Sequence, residues 1–285
     1  MKQLFEIGIV GAGTMGNGIA HVFALSEISN KIFLIDLNMD ALNNARKNIE
    51  KNLYRQCSKN IISESQIKST IDKIEFSCDI SKVSNCDLII EAVKEDESIK
   101  SILFKKLDSI CLPNTILASN TSSISITNLS RELVHKDNVI GMHFMNPVPV
   151  MKLVEIIKGK YTANSIVERT LNYVSSINKI SIECNDSPGF VSNRILMPMI
   201  NEAAYTFMEG VASADAIDQI MKLGMGHPMG PLKLADLIGI DVCVSIMKVL
   251  LNGFNNKKYT VCPLLEEMIK DNKLGVKTGQ GFYKY

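Results

Sequence analysis

No CxxC pair occurs among the seven cysteines, and their number is odd. A disulfide framework and a zinc site are therefore not expected, and no metal is assigned. Reduced thiols of a cytoplasmic protein are the expectation instead. Charge of one sign is also missing: 31 basic and 30 acidic side chains leave a formal net charge of +1. That balance gives no bulk case for a nucleic-acid partner or an anionic membrane surface. No apolar run is long enough to cross a bilayer. The opening MKQLFEIGIVGAG has no long apolar segment and no arginine-rich presequence. No internal repeat or low-complexity tract stands out, and histidine is sparse, at four residues.

What remains is the composition of a soluble globular chain. Its 285 residues are 46% hydrophobic and 21% charged, enough for one large domain or two ordinary ones. In the first half, short apolar runs alternate with helix-like stretches. IGIVGAG, KIFLID (31–36), DLIIEAV (87–93), TILAS (115–119) and NVIGMHF (138–144) read as buried strands. Residues 14–27 and 39–56, and a charged stretch through Leu107, read as helices. This alternation predicts an α/β fold with a doubly wound parallel sheet. Segment 54–80 is polar and reads as an excursion between strands. Near NDSPGFVSNR (185–194) the texture changes, and helical spacing dominates to the end. The expected division is a Rossmann domain over 1–186 and an all-helical domain over 187–285.

Gly11-Ala12-Gly13-Thr14-Met15-Gly16 is a GxGxxG match that follows a strand and opens a helix. Gly11 permits the tight turn, Gly13 the close approach of a pyrophosphate, and Gly16 the packing of helix on strand. Helix N-terminal amides and the helix dipole favour the phosphates. Asp36 ends the second strand about 20 residues further on, where a carboxylate accepts from the adenosine ribose hydroxyls. It would repel a 2′-phosphate, and no arginine follows it, so the reading is NAD rather than NADP.

In open parallel sheets ligands lie beyond the carboxyl ends of the strands. The third predicted strand delivers Glu91 and then Glu95, the fourth delivers Ser119-Asn120-Thr121-Ser122-Ser123, and the fifth His143 and then Asn146. Oxidation of an alcohol needs a base near pH 7, which neutral imidazole supplies. His21 lies within the first helix and reads as packing. His135 sits in a polar stretch and reads as exposed, and His227 lies in a turn between helices. His143 is the remaining candidate. Glu155, in KLVEII, could hold its far ring nitrogen or lie on a solvated strand face. Ser122 could donate to a substrate oxygen or cap a turn. Asn193 could reach the cleft or serve local bonding in the PGFVSNR joint. On the residues alone these alternatives stand open.

The stretches IGIVGAGTMGNGIA, DLIIEAVKED, ILASNTSSISIT, GMHFMNPVPVMKLVEII, DSPGFVSNRIL, KLGMGHPMGPLKLADLIGID and KTGQGFYKY occur in order across nearly the whole chain. With them the chain resembles the short-form L-3-hydroxyacyl-CoA dehydrogenases, especially the bacterial 3-hydroxybutyryl-CoA members. The resemblance implies reversible oxidation of 3-hydroxyacyl-CoA by NAD in fatty-acid or butanoate metabolism. It implies His143 as acid/base, Glu155 as its partner, and Ser122 and Asn193 as substrate-orienting groups. The family's cofactor contacts fall on Asp36, Glu95, Lys100, Ser122, Asn146 and Lys277. Its CoA contacts fall on Asn52 and Lys59, the latter in a basic stretch with Lys51 and Arg55. Without the resemblance, Lys100 and Lys277 read as surface lysines. Where the family commonly has HFFNP this chain has HFMNP, with Met145. A homodimer through the helical domain is implied as well. The rival readings are a catalytically idle nucleotide-binding relative of the lens-crystallin kind and an NAD-dependent dehydrogenase of a free hydroxy acid. The second typically depends on a catalytic lysine and carries other motifs.

Overall fold

The computed structural model describes residues 4–285, so the first three residues of the expected 1–186 domain lie outside it. The chain divides into two compact units, the first ending at Asp186 and the second spanning Ser187–Tyr285.

The first unit is built on an eight-stranded sheet. Its elements are β1 (Phe5–Val10), α1 (Thr14–Leu25), β2 (Ser29–Ile35), α2 (Met39–Ser58), α3 (Glu64–Asp72), β3 (Ile74–Ser77) and β4 (Leu88–Glu91). Then come α4 (Glu97–Ile110), β5 (Ile116–Ser119), α5 (Ile126–Ser130), β6 (Val139–Phe144), β7 (Leu153–Lys158), α6 (Asn164–Ser176) and β8 (Ile180–Asn185). The strand order is β3-β2-β1-β4-β5-β6-β7-β8. The chain leaves β1 for β2 on one side and later returns to place β4 on the other. The carboxyl ends of β1 and β4 therefore flank the switch point, where such sheets hold ligands.

Burial on both faces explains the unbroken apolar runs: β4 and β5 are buried at every residue. Ile7, Ile9, Ile32, Leu34, Leu88, Ile90 and Ile116, all at 0% exposure, form the core with Phe23 and Ala20 of α1.

The structure departs from an all-parallel sheet. β1 to β6 are parallel, but β7 pairs antiparallel with β6, and β8 runs parallel to β7. β8 is an edge strand with mostly exposed residues, so it lacks the apolar run that betrays a buried strand. The polar 54–80 segment contains the end of α2, all of α3 and β3. A capping box starts α3: the Gln66 side chain accepts from the Ser63 amide at 2.9 Å.

The second unit is helical: α7 (Ser192–Met208), α8 (Ala214–Met225), α9 (Pro231–Ile238), α10 (Ile240–Phe254) and α11 (Pro263–Lys270). Met197, Ile200, Ala204, Ala235, Cys243, Met247 and Leu250 form its core. Pro231 opens α9, whose first free amides, on Leu232 and Lys233, donate to the buried Asp218 carboxylate at 2.9 Å each. Asp236, on α9, accepts from the Phe282 and Tyr283 amides, also at 2.9 Å, and so holds the C-terminal residues. No helix among the described residues is long and apolar enough to cross a membrane.

Candidate active site

The turn from β1 into α1 has the shape a pyrophosphate needs. Gly11 has φ +105, and a Cβ there would fall 2.5 Å from the Ala92 carbonyl oxygen. A Cβ on Gly16 would fall 1.7 Å from the Gly11 carbonyl oxygen. Gly13 faces open space, with nothing within 4 Å of a built Cβ. Two glycines therefore let the backbone fold, and the third leaves room above it. No side chain caps the N-terminus of α1, and no acidic residue lies in its first turn. The amides beginning at Thr14 and Met15 thus offer an anion donors and the positive end of a dipole.

Asp36 lies one residue past the end of β2. Its Oδ2 accepts from the Ala12 amide at 2.8 Å and its Oδ1 from the Asn38 amide at 2.9 Å. A carboxylate has about four acceptor sites, so capacity remains for ribose hydroxyls. The cradle and the carboxylate together fit NAD.

Glu91, the last residue of β4, is fully buried. Its Oε1 accepts from Lys100 Nζ at 2.5 Å and from the Val93 amide at 2.7 Å, and its Oε2 accepts from Ser119 Oγ at 2.6 Å. Lys100, on α4, is 1% exposed and also lies 3.2 Å from Glu95 Oε2. Glu95 Oε1 in turn accepts from Thr121 Oγ1 at 2.5 Å, the Ser122 amide at 2.9 Å and Ser123 Oγ at 3.2 Å. Burial pushes the Glu91 carboxyl up, against the opposing pull of Lys100. Burial also disfavours charge on Glu95, but Lys100 and the hydroxyl and amide donors outweigh it and hold that carboxyl below its ordinary range.

His143 and Glu155 face each other as direct partners across the β6–β7 ladder. His143 Nδ1 lies 2.7 Å from Glu155 Oε2, and both side chains are buried. With Glu155 ionised, Nδ1 carries the hydrogen, which fixes the tautomer and directs proton exchange to Nε2. One strand over, Asn120 Oδ1 accepts from the Phe144 amide at 2.9 Å, tying the serine-rich run after β5 to the end of β6.

The structure thus gathers two clusters at the strand ends, Glu95–Lys100–Ser122 and His143–Glu155. Asn146 lies exposed in the loop after β6. Asn52 is half-buried on α2, and Lys59 is exposed at that helix's C-terminal cap, beyond the exposed Lys51 and Arg55. In the second unit, Asn193 is buried near the start of α7, and the Lys277 ammonium pairs with Asp241. Lys100 corrects the surface reading of that residue. It shares the buried face of α4 with Phe104 and Leu107. That spacing, i, i+4 and i+7, is the signal that could have placed a lysine inside. His135 is half-buried, its Nδ1 3.0 Å from Asp108 Oδ1, rather than exposed. His21 is fully buried and bonds Gln56 at 3.0 Å, as a packing residue does.

A glycine-turn cradle, a carboxylate just past the end of the second strand and a histidine–carboxylate pair on one doubly wound sheet define an NAD-dependent oxidoreductase. Residues 6–187 match the family described as 3-hydroxyacyl-CoA dehydrogenase, NAD binding domain, and residues 189–285 match its C-terminal domain. The chain belongs to the 3-hydroxyacyl-CoA dehydrogenase family. It is 47% identical over 283 residues to a probable 3-hydroxybutyryl-CoA dehydrogenase of Bacillus subtilis, covering 99% of this chain and 98% of that one. It is 38% identical to the human mitochondrial hydroxyacyl-coenzyme A dehydrogenase, covering 98% of this chain and 91% of the human one. The crystal structure of (S)-3-hydroxybutyryl-CoA dehydrogenase from Ralstonia eutropha superposes with a TM-score of 0.95 at 42% identity, covering 99% of both chains.

Proposed function

We propose that the chain interconverts (S)-3-hydroxyacyl-CoA and 3-oxoacyl-CoA with NAD, and that its substrate is short, of the 3-hydroxybutanoyl-CoA kind. The single observation that carries this is the buried His143–Glu155 pair, one strand from the Ser122 loop, in a chain of this family.

NAD, when bound, would supply the hydride acceptor for carbon 3; the chain's residues manage the proton and the orientation. Gly11, Gly13, Thr14, Met15 and Gly16 hold the pyrophosphate, and Asp36 holds the adenosine ribose. Glu95, Lys100, Asn146 and Lys277 complete the cofactor contacts, with Ser122. His143 Nε2 accepts the substrate's hydroxyl proton. Glu155 steadies the imidazolium that results, at 2.7 Å from Nδ1. In the reverse direction the imidazolium returns the proton to the 3-oxygen. Ser122 and Asn193 orient the substrate, and Asn52 and Lys59 meet its CoA portion. In this reading the first unit binds NAD and the second serves substrate binding and dimerisation.

A homodimer through the helical unit is part of the same proposal. Ile195, Val211, Ile220, Leu223 and Met225 are 59–83% exposed there, which supplies apolar surface for a second copy. A cytoplasmic location agrees with seven unpaired cysteines.

The test is oxidation of NADH and NADPH with acetoacetyl-CoA and longer 3-oxoacyl-CoAs, compared by kcat/KM. NADH with the four-carbon thioester is expected to give the highest value. Absence of turnover on every thioester overturns the proposal.

A further inference from the structure

Glu91 is a buried acid with three donors, and the proton transfer above does not use it. Its carboxylate closes one end of a chain of charge-assisted bonds. Ser119 Oγ and the Val93 amide fix it at the ends of two neighbouring strands, and Lys100 Nζ meets it at 2.5 Å. Lys100 carries the chain to Glu95 at 3.2 Å, and Glu95 holds Thr121, Ser122 and Ser123. An ammonium at 1% exposure needs a charged partner, and Glu95 alone is a poor one, because its other oxygen is shared among the loop's donors. Without Glu91, Lys100 would turn fully on Glu95 and compete with the loop for it.

We propose that Glu91 is a positioning residue for the cofactor: acting through Lys100 and Glu95, it sets the Thr121–Ser123 loop that carries Ser122. This rests on the assignment of Glu95, Lys100 and Ser122 to the nicotinamide side of the bound cofactor. The adenosine side, at Asp36 and the glycine turn, has its own hydrogen bonds.

The experiment uses the full chain and reads binding rather than turnover, by titration with NADH and, separately, with ADP. Glu91→Gln is expected to weaken NADH about tenfold and to leave ADP within about twofold. Lys100→Met should do the same. The double variant, which removes both buried charges, should be no weaker than Lys100→Met alone, because Glu91 acts through Lys100. A merely structural role predicts the opposite pattern. NADH and ADP would weaken together, and the two substitutions would multiply; either result overturns the proposal. So does a Glu91→Gln protein that binds NADH as the wild type does. Should Glu91→Gln fail to fold, Glu91→Asp keeps the charge but draws the same carboxylate back from Lys100 Nζ by one methylene. It should weaken NADH about threefold with ADP unchanged, and unchanged NADH affinity overturns the proposal. A wild type that binds ADP but not NADH overturns the cofactor assignment itself, and this proposal with it.

Discussion

Replacing Glu155 by glutamine tests how much of the catalytic power the buried pair supplies. The substitution keeps size and a hydrogen-bond acceptor near His143 Nδ1 but removes the negative charge. Both side chains are buried, and their atoms lie 2.7 Å apart. Taking an effective charge separation of about 4 Å and a dielectric of about 20, the carboxylate stabilises the imidazolium by about 4 kcal/mol. The neutral hydrogen bond that remains returns about 1 kcal/mol of this. At about 1.4 kcal/mol per tenfold, kcat for oxidation of a 3-hydroxyacyl-CoA should fall about 100-fold. The loss should shrink towards high pH, where bulk base assists, and NADH affinity should not change. The assay is kcat from pH 6 to 9 for wild type, Glu155→Gln and His143→Gln, the last setting the floor. A Glu155→Gln enzyme within threefold of wild-type kcat across that range refutes the electrostatic argument.

The glycines of the turn should separate cleanly. Gly13→Ala meets no atom within 4 Å, so thermal stability should hold within about 0.5 kcal/mol while NADH affinity falls at least about tenfold. Gly16→Ala drives a methyl to 1.7 Å from a backbone oxygen, and its melting temperature should show a loss of about 4 kcal/mol or more. Asp36→Ser with Leu37→Arg should move the NADPH/NADH ratio of kcat/KM by at least about tenfold toward NADPH. The same change takes a charged acceptor from the Ala12 amide, so NADH affinity should drop by about 2 kcal/mol beyond the lost ribose contact. His21 is fully buried, and burial pushes its pKa below its ordinary 6.5, with the Gln56 bond opposing. The unfolded chain then takes a proton that the folded chain resists. Stability is therefore intact above pH 6.5 and lost as pH falls from there toward the depressed folded value, by up to about 1.4 kcal/mol per unit. Thermal unfolding between pH 7 and 5 should show this slope in the wild type and a flatter one in His21→Gln.

The cofactor cradle was legible in the sequence because its requirements are local. Gly11, Gly16 and Asp36 are demanded by backbone sterics and by a strand end, and both leave fixed spacings. The parallel strands from β1 to β6 were legible because burial on both faces writes continuous apolar runs. Lys100 was not, although it stands in helical register with Phe104 and Leu107, because a lysine on an apolar face is usually discounted. Its two carboxylate partners sit at a strand end and in a loop, and only the folded chain brings them together. β8 leaves no mark in the sequence for the reverse reason: its mostly exposed residues carry no burial pattern. The 54–80 segment contains short elements that are mostly polar outside, with Ile67 and Ile74 as their buried apolar anchors.

Glu155 shows why the least legible part of the sheet is also where the proposed chemistry lies. β7 is buried on both faces, so Val154, Glu155 and Ile156 give no alternation to mark which way the carboxylate turns. Its pairing with His143 depends on a reversal of direction that an all-parallel reading omits. Antiparallel neighbours joined by a short loop set residues directly opposite one another, and here Gly141↔Ile157 through Phe144↔Val154 place 143 against 155. A parallel neighbour reached by a crossover helix would slant its bonds and draw its partner residue from far along the chain. The reversal therefore builds the proposed acid/base pair from one hairpin, one strand in from the edge of a sheet whose parallel part carries the glycine turn. A one-residue slip of β7 would turn Glu155 to the opposite face and put Val154 or Ile156 beside the imidazole. In the proposed mechanism, it is this antiparallel register that sets a carboxylate behind the imidazole that serves as the base.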